Sequence, residues 1–269
     1  MSWFQILSQP LAILVLQVSW LCSVASATQS LLTTAIKIRN ATVNDAEQIT
    51  CIIQEAFRGA PHVKYVNEFM DLHPRHLFNC LLGGVSTMLD NPDVMIQVAL
   101  LPNNSAPHDL VPVGVAIWEF PEAWPRISPS WTSGLFLHSP DALEMDEDCL
   151  LIVNISRAID FDHQFSAAQR DYLDKSYPKS QQYYLNTLGT HPDYQRRGAG
   201  GALVNSGIEV GKKSNRNENV TATLIATEAG EPLYLHLSWE SIKNFTVKSM
   251  DVVAGVREQW RFDIMKHDI

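Results

Sequence analysis

The chain has 269 residues, enough for one large domain or two small ones. Hydrophobic residues make up 46% and charged residues 18% of it, a composition typical of a folded globular protein and not of a disordered or fibrous one. Lys and Arg number 20 against 29 Asp and Glu, so the formal net charge is −9. Because proteins that hold nucleic acid across their surface are normally basic, this balance argues against a nucleic-acid partner.

The N-terminal segment, residues 1–27, is strongly apolar, and the first charged side chain is that of Lys37. It ends in Val24-Ala25-Ser26-Ala27, and an Ala-x-Ala ending is typical of signal-peptide cleavage, here after Ala27. Against this, no Lys or Arg precedes the apolar run. The run of roughly 16 residues is also shorter than the about 20 that a membrane span needs. A signal peptide, a membrane anchor and a cytosolic extension remain three alternatives.

The cysteines and the glycosylation sequons give evidence on whether the chain is secreted or cytosolic. The four cysteines are too few and too widely spaced for a disulfide scaffold, and no C-x-x-C pair suggests a metal site: Cys22, Cys51, Cys80 and Cys149. We expect reduced thiols, since cleavage of residues 1–27 would leave an odd three. Five Asn-x-Ser/Thr sequons would be usable if the chain is a secreted glycoprotein: Asn40, Asn103, Asn154, Asn219 and Asn244.

From residue 36 onward, short strands and helices alternate. Asn44 with Glu47 three residues later resembles a helix start, and an apolar stripe with helical spacing follows it as far as Phe57. Two β-rich runs separated by a turn-rich loop predict a hairpin. The predicted elements up to residue 119 are therefore a strand at 36–39, a helix from 44 to before Gly59, irregular helical structure at 62–90, and strands at 94–101 and 111–119.

The second half is interrupted by residues 121–180, which we interpret as an insertion within one domain spanning 36–267. Within it, 150–159 and 166–173 are predicted to be helical. Regular structure then resumes with a strand at 183–189, a turn at 190–194, a helix opening at 195–201, a strand at 220–226 and a late strand that carries Val256, Trp260, Phe262 and Ile264. This order predicts one α/β domain with a mixed, strongly twisted sheet flanked by helices.

The junction of strand 183–189 with the next helix has the chemistry of an anion site. The first N–H groups of a helix have no intrahelical partner, and the helix dipole is positive there. Gly198, Gly200 and Gly201 would let a phosphate approach the backbone, and Arg196 and Arg197 would add cationic groups. A plain helix N-terminus with surface arginines is the alternative.

This junction resembles the Q/R-x-x-G-x-G/A signature of the GNAT superfamily of acyl-CoA-dependent N-acyltransferases, through Gln195-x-x-Gly198-x-Gly200. Three further stretches are similar to family elements, in the family's order. They are the opening Ile38-Arg39-x-Ala41-Thr42-x-x-Asp45, the run 188–194 before the signature, and Leu233-Tyr234-Leu235-His236-Leu237-Ser238-Trp239, which resembles L-Y-x-x-L-G-F. The resemblance covers residues 36 to about 248, except 121–180. It is closest to fungal-type members with an insertion before the CoA-binding strand, and it implies the GNAT fold.

The resemblance also implies roles for individual residues. Backbone groups of Leu188, Gly189 and Thr190 would pair with the pantetheine arm of acetyl-CoA. Tyr234 would protonate the departing CoA thiolate. The backbone from residue 196 to 201 would hold the pyrophosphate, with Gln195 shaping the turn: Arg196, Arg197, Gly198, Ala199, Gly200 and Gly201.

Acyl transfer to an amine makes further demands. The amine must lose a proton, and for the base we nominate Glu119, at the end of strand 111–119, with His191 as a second candidate. The developing oxyanion needs a preorganised donor, for which the backbone N–H of Leu188 or Gly189 is suited.

The sequence thus predicts an N-acetyltransferase that moves the acetyl group of acetyl-CoA to an amine, most simply that of a small molecule. A catalytically silent CoA- or anion-binding module acting through a partner surface is the alternative, and a secreted glycoprotein that keeps the fold without the cofactor is a third. For localisation, residues 1–27 argue for the secretory pathway or a membrane tether, whereas the need for acetyl-CoA argues for the cytosol.

Overall fold

A computed structural model of the chain describes residues 36–106, 108–121, 147–214 and 220–269. The hydrophobic segment 1–27, residues 122–146 of the insertion and Asn219 lie outside the described residues. Among the residues that are described, no helix combines the length and the apolar character needed to cross a membrane.

Seven strands and seven helices make up the described part of the chain. In order they are β1 (Lys37–Asn40), α1 (Ala46–Phe57), α2 (Pro61–Val66), α3 (Pro74–Leu89), β2 (Val94–Pro102), β3 (Leu110–Glu119), α4 (Glu147–Ile152), α5 (Ile155–Ala168), β4 (Gln182–Thr190), α6 (Ala199–Ser214), β5 (Thr221–Thr227), α7 (Glu231–His236), β6 (Glu240–Lys248) and β7 (Gln259–Asp268). A π-helical turn, Gln169–Asp174, continues α5.

The strands form one mixed sheet in the order β1-β2-β3-β4-β5-β7-β6. Every neighbouring pair is antiparallel except β4 and β5, which are parallel. A parallel pair needs a crossover, and α6 supplies it. The single α/β domain with a mixed sheet flanked by helices is therefore confirmed.

The pleat of the strands divides the core into two layers, because alternate side chains point to opposite faces. On one face, β-strand residues such as Val98 and Ile117 pack with α1, α3 and α5. On the other, Trp118 and Leu224 pack with α6 and with Tyr234 of α7. The sheet thus separates the α1 side from the α6 side. The site described below lies where two neighbouring strands, β4 and β5, stop pairing.

The opening motif of the resemblance has a structural explanation at the start of α1. The guanidinium of Arg39 donates to both carboxylate oxygens of Asp45, each at 2.7 Å, and the Thr42 N–H donates to Asp45 Oδ2 at 2.8 Å. The pairing with Arg39 lowers the pKa of Asp45 to about 2. The helix start is therefore built on Thr42 and Asp45, and the prediction of Asn44 with Glu47 was wrong by two residues.

Two other predictions about elements need correction. Residues 150–159 and 166–173 do not form two helices with those bounds. Asn154 separates α4 from α5 and is the N-cap of α5, because its side chain accepts a hydrogen bond from the Arg157 N–H. Strand β6 was missed because it is an edge strand with mostly exposed side chains, so it shows no apolar alternation. Val256 lies before β7, in the loop between β6 and β7.

The expectation of reduced thiols was also wrong. Cys80 of α3 and Cys149 of α4 form a disulfide that spans 69 residues, whereas Cys51 is free and exposed. Both bonded cysteines lie in the apolar layer on the α1 side. The bond therefore holds the described end of the insertion to the body of the domain, a contact that sequence spacing alone did not reveal.

Gly207 is expected to tolerate no side chain, since a Cβ atom there would lie 2.2 Å from Trp118 Nε1. Trp118 is fully buried and stacked on Tyr183 at 4.6 Å, so it has no room to move away. We expect Gly207→Ala to lower the free energy of unfolding by about 1–3 kcal/mol or more, the usual cost of overpacking. The matched control is Gly201→Ala on the same helix, where the nearest side-chain atoms lie at 4.0 Å. Equal melting temperatures for both variants would contradict this packing.

Candidate functional site

Strands β4 and β5 diverge in the middle of the sheet. They pair only from Gln182↔Thr221 to Leu185↔Leu224. Beyond Leu185, β4 continues to Thr190 with β3 as its partner, and β5 pairs with β7 as far as Thr227. An opening therefore begins after Leu185, four residues before Gly189.

The register of β3 and β4 determines which backbone groups of β4 face the opening. The N–H of His191 donates to Val113 O at 2.9 Å, and the same register pairs Gly189 with Val115. In an antiparallel pair, hydrogen-bonded and non-hydrogen-bonded positions alternate. The N–H and C=O groups of Leu188 and Thr190 therefore point away from β3, into the opening, whereas those of Gly189 point towards β3.

Gly189 contributes to the site through the absence of a side chain. A Cβ atom there would lie 3.3 Å from Ala56 Cβ and 3.5 Å from Phe57 Cε2, at the end of α1. Of the two candidate oxyanion donors, the structure thus directs the N–H of Leu188, and not that of Gly189, into the opening.

Glu119 is buried and oriented by a bulge in β4. The β3–β4 register shifts between Ile117 and Trp118, so Asn186 is the extra residue on β4. Its side-chain amide donates to Glu119 Oε1 at 2.6 Å and accepts from the Thr187 hydroxyl at 2.8 Å. Glu119 is only 1% exposed, although a strand-end position suggests a surface carboxylate.

Glu119 is not adjacent to the opening at Leu188. It lies three residues along β3 from Ala116, the partner of Leu188, which is about 10 Å at the usual rise per residue. His191, the second candidate base, accepts a hydrogen bond from the Asp193 N–H through Nδ1 and shapes the turn after β4. A proton leaving an amine at Leu188 would thus reach Glu119 only through water.

The turn between β4 and α6 is held by its own side chains. Gln195 Nε2 donates to the Thr190 carbonyl at 3.1 Å, which closes the turn. Arg197 donates to Asn104 Oδ1 at 3.1 Å and to the Asp193 carbonyl at 3.0 Å, and it lies over the Tyr194 ring. Both arginines are exposed, but Arg197 is engaged with the turn through these contacts.

The start of α6 presents free backbone donors. The Ala202 N–H donates to the Gly198 carbonyl, so Gly198 is the N-cap and the amides of residues 198–201 precede the first intrahelical bond. Gly198 has φ +89°, a conformation that favours glycine. Gly200 faces α7: a Cβ atom added at this position would lie 3.2 Å from Leu233 Cδ2.

Tyr234 lies on α7, beside the α6 turn. It is 7% exposed, and its ring meets the edge of Trp239 at 5.7 Å. Burial, with a smaller contribution from Tyr184, raises the pKa of the Tyr234 phenol above its ordinary value. Ser238, which replaces the glycine of the family pattern, has φ 63°, so the helix ends in the left-handed conformation that glycine normally supplies.

A cleft of about 860 Å³ lies on the α1 side, at the end of β5 and the start of β7. Its lining includes Ala56, which a Cβ atom on Gly189 would meet at 3.3 Å, so the cleft lies near the opening between β4 and β5. Three segments line it: the turn from α1 to α2 (56 and 59–62), the end of β5 (227–229), and residues 258–262 of β7 and the loop before it.

The cleft combines acidic and aromatic groups. Glu228 and Glu258 are exposed acidic side chains of the lining, whereas Arg261 is ion-paired with Glu231. Trp260 and Phe262 supply aromatic surface. His62 is 5% exposed and packs against Phe262, and burial lowers its pKa to about 4, so the imidazole is neutral at pH 7.

Sequence reasoning missed the cleft residues and Asn186. A polar residue within the apolar strand Tyr184-Leu185-Asn186-Thr187-Leu188 is a signal that could have identified the bulge. Glu228, Glu258 and His62 carried no such signal, because three separate segments bring them together.

Comparisons with known proteins identify a curated relative and similar solved structures. No protein-family model matches the chain. A curated protein of Stachybotrys chartarum (strain CBS 109288 / IBT 7711), named acetyltransferase, is 24% identical over 222 residues, which are 82% of this chain and 88% of that protein.

Similar solved structures share low sequence identity with the chain. One is a Corynebacterium glutamicum ATCC 13032 structure described as "histone acetyltransferase HPA2 and related acetyltransferase". It shares 18% identity with this chain, covers 87% of this chain and 97% of its own, and has a TM-score of 0.48. Another is Arabidopsis thaliana NAA60 in complex with acetyl-CoA (16% identity, 87% and 99%, TM-score 0.41). A third is the PaiA N-acetyltransferase of Thermoplasma acidophilum in complex with coenzyme A (13% identity, 87% and 99%, TM-score 0.44).

The resemblance to the GNAT superfamily is carried by the chain's own features, beside the curated relative named acetyltransferase. The four sequence elements occur in the family's order, and the structure places the signature at the start of α6, beside the diverging strands. The chain thus resembles the GNAT superfamily in its sequence motifs, and its mixed α/β fold is in keeping with that resemblance.

Proposed function

We propose that this chain is an acetyl-CoA-dependent N-acetyltransferase whose acceptor is a small-molecule amine. The observation that carries the proposal is the divergence of β4 and β5 after Leu185, in a sheet with α6 on one face and the cleft on the α1 side. The curated relative named acetyltransferase supports the reaction class.

The donor side is formed by backbone groups. The amides at residues 198–201 would hold the pyrophosphate, and Arg196 would add a cation. The outward-facing groups of Leu188 and Thr190 would pair with the pantetheine arm, with Gly189 leaving space beside Ala56. Acetyl-CoA supplies an activated acetyl group as a thioester. The Leu188 N–H stabilises negative charge on its carbonyl oxygen, and Tyr234 donates a proton to the departing sulfur.

The acceptor side is the cleft. Its volume suits a small molecule, and the acidic pair Glu228 and Glu258 attracts a protonated amine to its mouth. Trp260 and Phe262 provide an apolar surface for the carbon skeleton. Glu119, oriented by Asn186, accepts the proton of the amine through water.

The proposal is tested by measuring CoA thiol release with a panel of amines, beside calorimetry with CoA. Turnover of at least one small-molecule amine is the expected result. CoA binding with turnover of protein N-termini alone would contradict the small-molecule acceptor. CoA binding without any turnover would favour the silent binding module, and no CoA binding would contradict the cofactor assignment.

The acidic pair is expected to govern acceptor affinity. Replacing both residues, as Glu228→Gln with Glu258→Gln, should raise KM for a cationic acceptor about tenfold, or about 1.4 kcal/mol. The acetyl-CoA Kd should not change. Since exposed charges are screened by salt, the wild-type KM should rise with ionic strength and the variant's should not. The matched control is Glu209→Gln, an exposed acidic residue on α6. An acceptor KM within about twofold of wild type would show that these carboxylates do not select the amine.

A further inference from the structure

Helix α5 lies in the part of the chain that has no counterpart in the family resemblance, and it contacts the loop between β6 and β7. This loop, residues 249–258, ends at Glu258, where the cleft lining begins. Two side chains of α5, Arg157 and Gln164, hold the first residues of the loop region from one side.

Gln164 continues the edge of the sheet where β6 ends. Its Nε2 donates to the Lys248 carbonyl at 2.9 Å, and its Oε1 accepts from the Lys248 N–H at 3.0 Å. The side-chain amide thus pairs with the strand as a neighbouring peptide group would, which fixes the point where the loop leaves the sheet.

Arg157 holds the loop three residues further on. Its Nε lies 2.7 Å from Asp251 Oδ2, its Nη1 lies 3.3 Å from Glu68 Oε1, and its guanidinium lies 4.9 Å from the centroid of the Tyr65 ring. The side chain of Arg157 is 23% exposed, so these charges are partly shielded from solvent. A planar guanidinium suits this combination of ion pairs and ring stacking better than an ammonium does.

Two sets of contacts link the held loop to residues that line the cleft. The Tyr65 hydroxyl accepts from the Met250 N–H at 2.8 Å, and the same ring packs on Trp260 at 4.7 Å. Within the loop, the Ser249 N–H donates to the Glu258 carbonyl at 2.8 Å. Trp260 and Glu258 both belong to the lining segment 258–262, so the position of this wall of the cleft depends on where the loop is held.

We propose that Arg157 and Gln164 are positioning residues that set acceptor selectivity by holding the β6–β7 loop against the cleft. This inference rests on the proposed function, since it assumes that the cleft receives the acceptor. Neither residue touches the donor side, which lies at the other end of the opening. The inserted helix is therefore the element through which this chain shapes its own acceptor site.

The test compares Arg157→Met, Gln164→Met and the double variant with wild type, with two readouts. The first is steady-state kinetics: acceptor KM should rise about tenfold in the double variant, or about 1.4 kcal/mol, while the acetyl-CoA Kd stays unchanged. The second is limited trypsin digestion, in which cleavage after Lys248 and Arg257 should become faster. Arg157→Lys, which keeps the charge but not the planar stack, should give an intermediate acceptor KM.

The control is Lys175→Met, which removes an exposed ion pair with Asp171 in the same inserted segment. It should leave both readouts at the wild-type value. If wild type is active and the acceptor KM is unchanged in the Arg157 and Gln164 variants, the inference is overturned. The proposed function is then unaffected. Absence of turnover by wild type with every amine would overturn the proposed function and this inference with it. If the double variant does not fold, the single variants and Arg157→Lys decide by the same criteria.

Discussion

Gly200→Asp is expected to abolish acetyl-CoA binding while the domain stays folded. The residue lies in the first turn of α6, whose free amides would receive the pyrophosphate. Two unit charges about 4 Å apart repel by about 4 kcal/mol in a partly shielded site, which corresponds to a loss of affinity of about 10²- to 10³-fold. The helix itself should not melt, because a carboxylate near the N-terminus interacts favourably with the helix dipole.

The structure adds a steric contribution that must be separated from the charge. A Cβ at Gly200 would lie 3.2 Å from Leu233 Cδ2, so any side chain displaces the end of Leu233 slightly. Gly200→Ala is the matched control, since it introduces the same contact without a charge. Calorimetry with CoA and thermal melting should show near-normal binding for Ala and none for Asp. An Asp variant that binds CoA within about threefold of wild type, and melts normally, would refute the assignment of this turn.

Tyr234→Phe is expected to lower kcat about 10²-fold or more, the usual contribution of a general acid, with little change in the acetyl-CoA Kd. Phenylalanine keeps the packing against Trp239 and removes only the hydroxyl that would protonate the leaving sulfur. Tyr183→Phe is the matched control. Tyr183 is equally buried but stacks on Trp118, in the part of the sheet where β4 and β5 are still paired.

The pH dependence of kcat provides a second measurement on Tyr234. Burial raises the pKa of its phenol above the ordinary value of 10, so the proton-donating form persists as the pH rises to about 10. The rate should therefore increase with pH as the acceptor amine loses its proton, with no falling limb from the tyrosine below about pH 10. If Tyr234→Phe retains kcat within about threefold of wild type, the residue is part of the core and not the acid.

The sequence by itself determined the elements whose causes are local. A β-rich apolar run predicts β2, alternating apolar residues predict β3, and the glycines at 198, 200 and 201 mark the α6 turn. Arg39, Thr42 and Asp45 could be recognised as a motif, although the nearby Asn44 was taken for the cap. Strand β6 gave no signal, because an exposed edge strand needs no apolar face.

The tertiary structure alone decided what depends on contacts between distant segments. The bond between Cys80 and Cys149 joins residues 69 positions apart, and no local pattern encodes that proximity. The hydrogen bond from Asn186 to the buried Glu119 involves the extra residue of the bulge, which is a property of strand register. The cleft on the α1 side and the contacts of α5 with the β6–β7 loop likewise arise from packing. A local pattern specifies which face of an element is apolar, but the partners of its polar side chains are fixed only when the elements meet.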